Sequence, residues 1–295
     1  MTTDHAGPDH RTQQLGIVLL LLAILSFTLM DATAKYLAPR YHPAQIVWAR
    51  YITNFIIVLV LVAPRLRSTL KSRRPMMQAA RALCQLASIG LFFTSLGHVG
   101  LAEATAIMDA NPVLITLGAA LFLGERIGLR RILGITVALI GALIIIRPGA
   151  GVFQPAALLP LIGAFTYAGG AILTRMARVD STMTSVLWTV LIGTALTTLL
   201  VPFHWTPIAP GDLWAFAIIG LFGFAAQFLL IRAFTMAEAG AIAPFGYTGL
   251  IWAGLWGWLF WGELPDRTTV IGAIVIVAAG IYVWTREAMA SKTRA

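Results

Sequence analysis

Three charged residues lie deep within long apolar segments of this chain: Asp31, Arg50 and Asp109. Burying an ionised side chain in an apolar interior is costly unless an opposite charge or a hydrogen bond compensates it. Arginine does not lose its proton, so Arg50 requires an acceptor, and either Asp31 or Asp109 can serve. A structural ion pair and a clamp for a ligand carboxylate are both consistent with these residues. The chemistry they predict is ionic recognition inside a membrane, with Asp31 and Asp109 as candidates for carrying a proton.

Lys35 follows Asp31 by four residues, which puts the two side chains on one helix face with the acid N-terminal to the base. Two interpretations remain open. The residues either neutralise each other near the end of a helix, where the lysine extends its ammonium towards the interface, or they contribute to a binding site.

Asp109 belongs to a stripe with Thr105, Pro112 and Thr116, spaced i, i+4, i+7 and i+11. Proline lacks the backbone donor that a helix needs, so Pro112 is predicted to kink or break this segment. A broken helix beside an acid is typical of a mid-membrane binding site or proton relay. Pro244, which aligns with Asp109 when the two halves of the chain are compared, is the second predicted hinge.

Aromatic residues suggest a cavity wall. Trp48 and Trp188 occupy matching positions 140 residues apart, and Tyr247 and Trp252 belong to an aromatic-rich segment. We predict that these four side chains flank a cavity. Anchoring at the membrane interface and simple packing are the alternatives.

The composition excludes a soluble protein. Hydrophobic residues make up 59% of the chain and charged residues only 11%, whereas a soluble domain carries about 25% charged residues. The single cysteine, Cys84, cannot form a disulfide within the chain, and the sequence has neither a zinc motif nor a phosphate-binding loop. We therefore expect no metal, no cofactor and no enzymatic activity.

The elements that must position these residues are membrane-spanning helices of about 20 apolar residues each. The sequence predicts ten: 14–37, 44–63, 76–97, 101–123, 130–147, 155–175, 182–203, 212–235, 239–261 and 268–286. The fold class is therefore an all-α integral membrane protein.

The ten spans form two repeats of five. Matching signals recur, such as Ala102-Glu103-Ala104 against Ala237-Glu238-Ala239, and Gly124-Glu125 against Gly262-Glu263. Five is an odd number, so the second repeat must be inserted upside down, as in many transporters. The predicted organisation is an N-terminal tail (1–13), repeat 1 (14–147), repeat 2 (155–286) and a C-terminal tail (287–295).

Most of the 21 Lys and Arg residues fall in the connections on one side of the predicted bundle, including the run from Arg65 to Arg74. The positive-inside rule then predicts that both tails are cytoplasmic. The net charge of +9 is explained by topology and contact with membrane lipids. Nucleic acid is not needed as a partner.

At several motifs the chain resembles the drug/metabolite transporter superfamily. Within that superfamily it resembles the proteins with two EamA-type repeats. The resemblance covers about residues 14–286. The residues that carry it are Met30-Asp31-Ala32 with Lys35, Trp48-Ala49-Arg50-Tyr51, the two Gly-Glu pairs, and Ala243-Pro244-Phe245-Gly246-Tyr247-Thr248.

The resemblance implies a ten-helix, multi-pass carrier of the bacterial inner membrane that works by alternating access. We expect it to be a monomer or a homodimer. S-adenosylmethionine and riboflavin importers are similar at Asp31, Lys35 and Arg50, and aromatic amino-acid exporters share the fold. We expect a secondary transporter or facilitator of small amphipathic metabolites. The first hypothesis is export of apolar or aromatic amino acids. The alternative is uptake of riboflavin, S-adenosylmethionine or a related metabolite.

A membrane-embedded enzyme ranks below both functions, because it would cluster its polar residues at one membrane face. Here the charged residues follow helical stripes within the spans. We further expect the first repeat to supply the ionic contacts and the second to supply much of the aromatic surface.

Overall fold

The structure, a computed structural model, describes residues 10–123, 129–147, 154–177, 179–236 and 243–292. In these ranges all regular elements are helical, with twelve α-helices and five short 3-10 turns. The α-helices are α1 (His10–Leu37), α2 (Pro43–Val62), α3 (Leu66–Leu70), α4 (Pro75–Ser95), α5 (Leu101–Met108), α6 (Asn111–Leu123), α7 (Leu129–Ile146), α8 (Leu158–Met176), α9 (Thr182–Leu200), α10 (Leu213–Met236), α11 (Thr248–Trp261) and α12 (Arg267–Lys292).

Seven stretches of the described chain are long and apolar enough to cross a membrane. They are Gln14–Leu37, Pro43–Leu70, Pro75–Ser95, Leu101–Leu123, Pro155–Met176, Thr182–His204 and Pro210–Ala233. Helices α7 and α12 add shorter apolar stretches, Ile132–Ile146 and Arg267–Val283. The predicted all-helical membrane fold is confirmed.

Local sequence explains where several helices begin and end. The Nδ1 atom of His42 accepts a hydrogen bond from the backbone N–H of Ala44 (3.2 Å) at the start of α2, and Ser181 Oγ accepts from Thr184 N–H (3.0 Å) at the start of α9. Such caps satisfy donors that have no partner within the helix. Helix α11 ends at Gly262, whose φ of 65° is a left-handed conformation that glycine adopts without steric cost.

The fourth span of repeat 1 is interrupted, and in repeat 2 the described part of this span begins with a 3-10 turn. In repeat 1 the break falls at Asp109 and Ala110, between α5 and α6, and Pro112 lies in the first turn of α6, where a missing N–H costs little. In repeat 2 the 3-10 turn Ala243–Tyr247, which contains Pro244, precedes α11. Residues 237–242, at the start of that predicted span, lie outside the described ranges. The interruption predicted at Pro112 is therefore present.

Packing runs mainly between the repeats rather than within them. The first span of each repeat packs along the third span of the other, α1 against α10 and α8 against α4. The second spans (α2 and α9) and the fifth spans (α7 and α12) pair directly. The pairs of contacting helices recur when the two repeats are exchanged, as is expected of an inverted repeat, and neither repeat forms a separate five-helix bundle.

Small residues allow these close approaches. A Cβ atom on Gly141 of α7 would lie 2.8 Å from the Ile276 side chain, and one on Gly272 of α12 would lie 2.6 Å from the Gly141 carbonyl oxygen. Glycines at a helix interface let two backbones meet, which is a main source of helix association in lipid.

The exterior exposes large apolar side chains. Val60, Leu121, Phe122 and Ile251 each expose more than half of their surface. An exposed apolar surface of this kind is expected where a protein faces lipid tails.

Candidate functional site

A cavity of about 320 Å³ lies in the middle of the bundle, and we call it the central cavity. Asp31, Arg50 and Asp109, contributed by α1, α2 and the break after α5, all line it. The three charged residues that the sequence places within membrane spans therefore lie around one cavity. All three come from repeat 1.

The Arg50 side chain lies between the ring of Phe93 and the backbone of Gly223 where it borders the central cavity. Its guanidinium carbon lies 5.9 Å from the centre of the Phe93 ring, within range of a cation–π attraction. Gly223 of α10 leaves room for it, because a Cβ there would come within 3.2 Å of Arg50 Nε. Asp31 attracts the guanidinium electrostatically. No hydrogen bond or ion pair joins the two among the described residues, so both charges remain available to a ligand.

Several polar atoms around the central cavity have no hydrogen-bond partner. The buried atoms Ser88 Oγ, Asp109 Oδ2 and Asn111 Oδ1 are unpaired, and all three residues line the cavity. Leaving a buried polar atom unpaired costs about 1–3 kcal/mol. A water molecule or a polar ligand in the cavity would remove that cost.

The aromatic part of the lining differs from the prediction. Phe27, Phe92, Phe93 and Tyr167 line the central cavity, three of them from repeat 1. The sequence carried a signal for some of these residues: Phe27 lies one helical turn before Asp31, and Phe92 one turn after Ser88.

The two matched tryptophans lie away from the cavity lining. Trp48 donates its indole N–H to Thr198 Oγ1 (3.1 Å) and packs edge-on against Trp205. Trp188 donates to the Leu70 carbonyl oxygen (3.1 Å). Both tie helix ends together, which corresponds to the alternative of packing and anchoring.

Tyr247 and Trp252 also lie outside the central lining. The Tyr247 hydroxyl packs against Gly280 of α12. Trp252 stacks on Trp256 with ring centres 5.8 Å apart. Repeat 2 approaches the cavity here through Gly246 and Gly249 rather than through aromatic rings.

Lys35 pairs with Glu263 rather than with Asp31. Its Nζ lies 2.9 Å from Glu263 Oε1 and donates to the Val99 carbonyl oxygen at 3.0 Å. The Lys35 side chain is 7% exposed, and the pair links α1 of repeat 1 to the loop that follows α11 of repeat 2. Lys35 is therefore neutralised by Glu263 and not by Asp31. Glu125, the matching acid, lies outside the described residues.

Polar contacts join the repeats at both ends of the bundle. We call the end next to Arg65–Arg74 the basic end and the other the opposite end. At the opposite end, besides Lys35 and Glu263, Arg40 pairs with Asp212 at 2.9 Å and Tyr41 donates to the same carboxylate at 2.8 Å.

At the basic end, Asp180 accepts hydrogen bonds from Ser72, from the backbone N–H of Arg73 and from Gln78. These donors, Ser72 foremost, hold the pKa of the Asp180 carboxyl below its ordinary value. The contacts connect the loop before α4 to the loop before α9.

The comparisons with known proteins agree with this architecture. The model of the EamA-like transporter family matches residues 14–147 and 154–285, one copy per repeat. Among solved structures, one crystal structure covers 90% of this chain and 95% of its own, with a TM-score of 0.63 at 18% identity. That likeness concerns the fold alone.

Three similar proteins have names that state a function. An S-adenosylmethionine uptake transporter of Rickettsia bellii is 28% identical and covers 92% of this chain and 94% of its own length. The pseudopaline exporter CntI of Pseudomonas aeruginosa is 28% identical (90% and 94%), and a riboflavin transporter of Vibrio cholerae is 26% identical (94% and 95%). The three names include one uptake transporter and one exporter, and all denote transport rather than enzymatic activity. With the family model matching nearly its whole length, the chain belongs to the EamA-like transporter family.

Proposed function

We propose that the protein transports a small amphipathic metabolite that carries both an ammonium and a carboxylate group. Arg50 would bind the carboxylate, and Asp31 and Asp109 would bind the ammonium. The observation that carries this proposal is the presence of both charge types on one cavity, without a hydrogen bond between Arg50 and either acid among the described residues. Guanidinium and carboxylate groups form strong charge-assisted hydrogen bonds with such ligands.

Amino acids with apolar or aromatic side chains, exported from the cytoplasm, are the first candidate substrates. The apolar lining from Phe27, Phe92 and Phe93 supports a ligand with an apolar part.

S-adenosylmethionine, taken up, is the second candidate, because it carries an amino-acid head group and similar proteins bear its name. Riboflavin has neither charged group, so the three charges of the cavity support it less, although a riboflavin transporter is among the similar proteins.

The proposed mechanism is alternating access in the bacterial inner membrane. The basic end faces the cytoplasm in this proposal, as the positive-inside rule predicts. Access from either side requires the polar contacts at that end to open while those at the other end hold. Because the repeats pack mainly against each other, we favour relative motion of the cross-repeat helix pairs over rocking of two separate five-helix halves. Asp31 and Asp109 are the groups through which proton coupling would act.

Substitutions at the central cavity test the proposal. Radiolabelled phenylalanine and S-adenosylmethionine are supplied to the full-length protein in proteoliposomes, with and without a pH gradient. We expect Arg50→Gln and Asp109→Asn each to lower the rate of substrate transport at least about tenfold, because each removes a charged contact worth about 1.5–3 kcal/mol.

Arg65→Gln is the matched control, since it removes the same charge from an exposed turn. Asp109→Glu keeps the charge and is expected to retain part of the activity. If Arg50→Gln and Asp109→Asn both leave transport and protein abundance intact, the proposed site is wrong.

A further inference from the structure

A second, smaller cavity lies between the central cavity and the basic end. We call it the inner cavity. It has a volume of about 100 Å³ and shares Arg50, Gln85 and Gln227 with the central lining. Arg81 of α4, in the second turn from the basic end, lines its other side. The two cavities therefore meet at Arg50.

The inner cavity holds two positive charges and no negative one among the described residues that line it. Arg81 is fixed by its neighbours: its Nε donates to Gln78 Oε1 (3.3 Å), and its Nη2 donates to the Ser185 carbonyl oxygen and to Thr189 Oγ1. All three partners are neutral. Two guanidinium groups that face one cavity within the membrane, with no carboxylate between them, are costly unless an anion joins them.

The neutral lining also lacks partners. The Tyr51 hydroxyl and the Asn54 Oδ1 atom are buried without a hydrogen bond, and Tyr51 is only 3% exposed. A tyrosine hydroxyl donates readily to an anionic oxygen, and a rotated asparagine amide presents two N–H donors in place of its oxygen. An oxyanion would thus supply the missing hydrogen-bond partner of both side chains and would neutralise the charge of the two arginines.

The size of the inner cavity limits what can bind. Its volume of about 100 Å³ is roughly a third of that of the central cavity, which suits a carboxylate or a phosphate group better than a whole metabolite. Arginine is the residue best shaped for either group, since its planar N–H donors can bind two oxygens at once.

We infer that the inner cavity is an oxyanion-binding site between Arg50 and Arg81, and that it receives the carboxylate of the transported metabolite on the basic-end side of the central cavity. The second part rests on the proposed function, whereas the anion site itself does not. Arg50 would then contact the carboxylate in both positions, and Arg81 only in the inner one.

The test measures anion binding to the purified full-length protein through the shift of its thermal unfolding midpoint. Sodium acetate and sodium phosphate are titrated at constant ionic strength. The variants are Arg81→Gln and Asn54→Asp, with Arg65→Gln as the control. Asn54→Asp keeps the structural hydrogen bonds of Arg81 and adds a carboxylate within the cavity, so it tests the site even if Arg81→Gln does not fold.

We expect acetate to raise the midpoint saturably in the wild type and in Arg65→Gln. Asn54→Asp and Arg81→Gln are expected to weaken the apparent affinity at least about tenfold, the scale of one lost hydrogen bond to a charged group. An absent shift, or an equal one in Asn54→Asp, overturns the anion site. A response to phosphate without one to acetate overturns the assignment to a substrate carboxylate.

Failure of this inference can be told apart from failure of the proposed function. If the wild type binds acetate through Asn54 and Arg81 but transports no amino-acid-like substrate, the anion site stands and the proposed function fails. If transport depends on Arg50 while acetate binding is insensitive to Asn54→Asp, the proposed function stands and the inner site fails.

Discussion

At the scale of single residues, Arg50 has a different environment on each side. Towards the central cavity it is attracted by Asp31. Towards the basic end it shares the inner cavity with Arg81 and with the unpaired Tyr51 hydroxyl. A charge in this position can hold an anionic group without being neutralised permanently by a neighbour, which suits a ligand that must bind and leave.

Lys35 has the opposite character, because its charge is already paired. The side chain is almost fully buried, and it contacts both Glu263 and the Val99 carbonyl oxygen. The contact between the repeats at the opposite end therefore depends partly on this one ion pair.

We predict that Lys35→Met and Glu263→Gln are coupled. Removing one partner leaves the other charge without compensation, so each single substitution should lower the free energy of unfolding by about 1–3 kcal/mol, less than for a fully buried pair because Glu263 is 39% exposed. The double variant should lose less than the sum, by at least about 0.5 kcal/mol. Unfolding in detergent provides the measurement.

The more exposed pair Arg147 and Asp266 serves as the comparison, with side chains 30% and 51% exposed. Arg147→Gln is expected to change stability by less than about 1 kcal/mol. Strict additivity of Lys35→Met and Glu263→Gln would show that the pair does not join the repeats energetically.

At the scale of helices, close packing of α2 against its neighbours positions Arg50. A Cβ on Gly193 of α9 would overlap the ring of Tyr51, and one on Gly220 of α10 would overlap Thr53. Tyr51 directly follows Arg50 along α2, so displacing α2 here would also move the guanidinium.

We predict that Gly193→Ala is destabilising by about 1–3 kcal/mol, the usual cost of forcing extra volume into a packed interior. It should also slow transport through the shift of Arg50. Gly90→Ala is the matched control, because Gly90 also lies within a membrane helix but has no atom within 4 Å of the added Cβ. Thermal unfolding in detergent and transport in proteoliposomes are the two measurements. Equal tolerance of both substitutions would contradict the packing account.

The interruption of the fourth span was predictable from sequence, since a proline cannot donate within a helix and Pro112 follows an acid in an apolar segment. The proximity of Asp31, Arg50 and Asp109 was also predictable, because charged residues within membrane spans usually face one another or a cavity.

The partner of Lys35 was not predictable from its own span. Glu263 lies far away along the chain, and only the packing of one repeat on the other brings it close. The Asp31 carboxylate, four residues away on the same helix, looked equally suitable by spacing alone.

The aromatic residues that line the central cavity could not be recognised from the sequence for a related reason. Tryptophans stand out in a sequence, but Trp48 and Trp188 have hydrogen-bond partners near the ends of helices, where an amphipathic ring is favoured. Phenylalanines are ordinary in apolar spans, so Phe92 and Phe93 became distinctive only once the fold placed them beside Arg50.

At the scale of the whole molecule, a symmetric scaffold holds an asymmetric site. The pairs of contacting helices recur when the two repeats are exchanged, yet the charged residues that line the two cavities in the described part of the chain all come from repeat 1. Polar contacts between the repeats close both ends. The central claim that follows from the proposed function is that a ligand with two opposite charges binds in the middle of the bundle.

The most direct test of that claim is competition for transport in proteoliposomes that contain the wild-type protein. The labelled substrate is phenylalanine or S-adenosylmethionine, whichever is transported. The competitors are phenylalanine, phenethylamine, which lacks the carboxylate, and 3-phenylpropionate, which lacks the ammonium. The account predicts that phenylalanine competes at least about tenfold better than either analogue, because each analogue leaves one side of the charged cavity without its partner. Equal competition by all three, or transport of neither labelled compound, would contradict it.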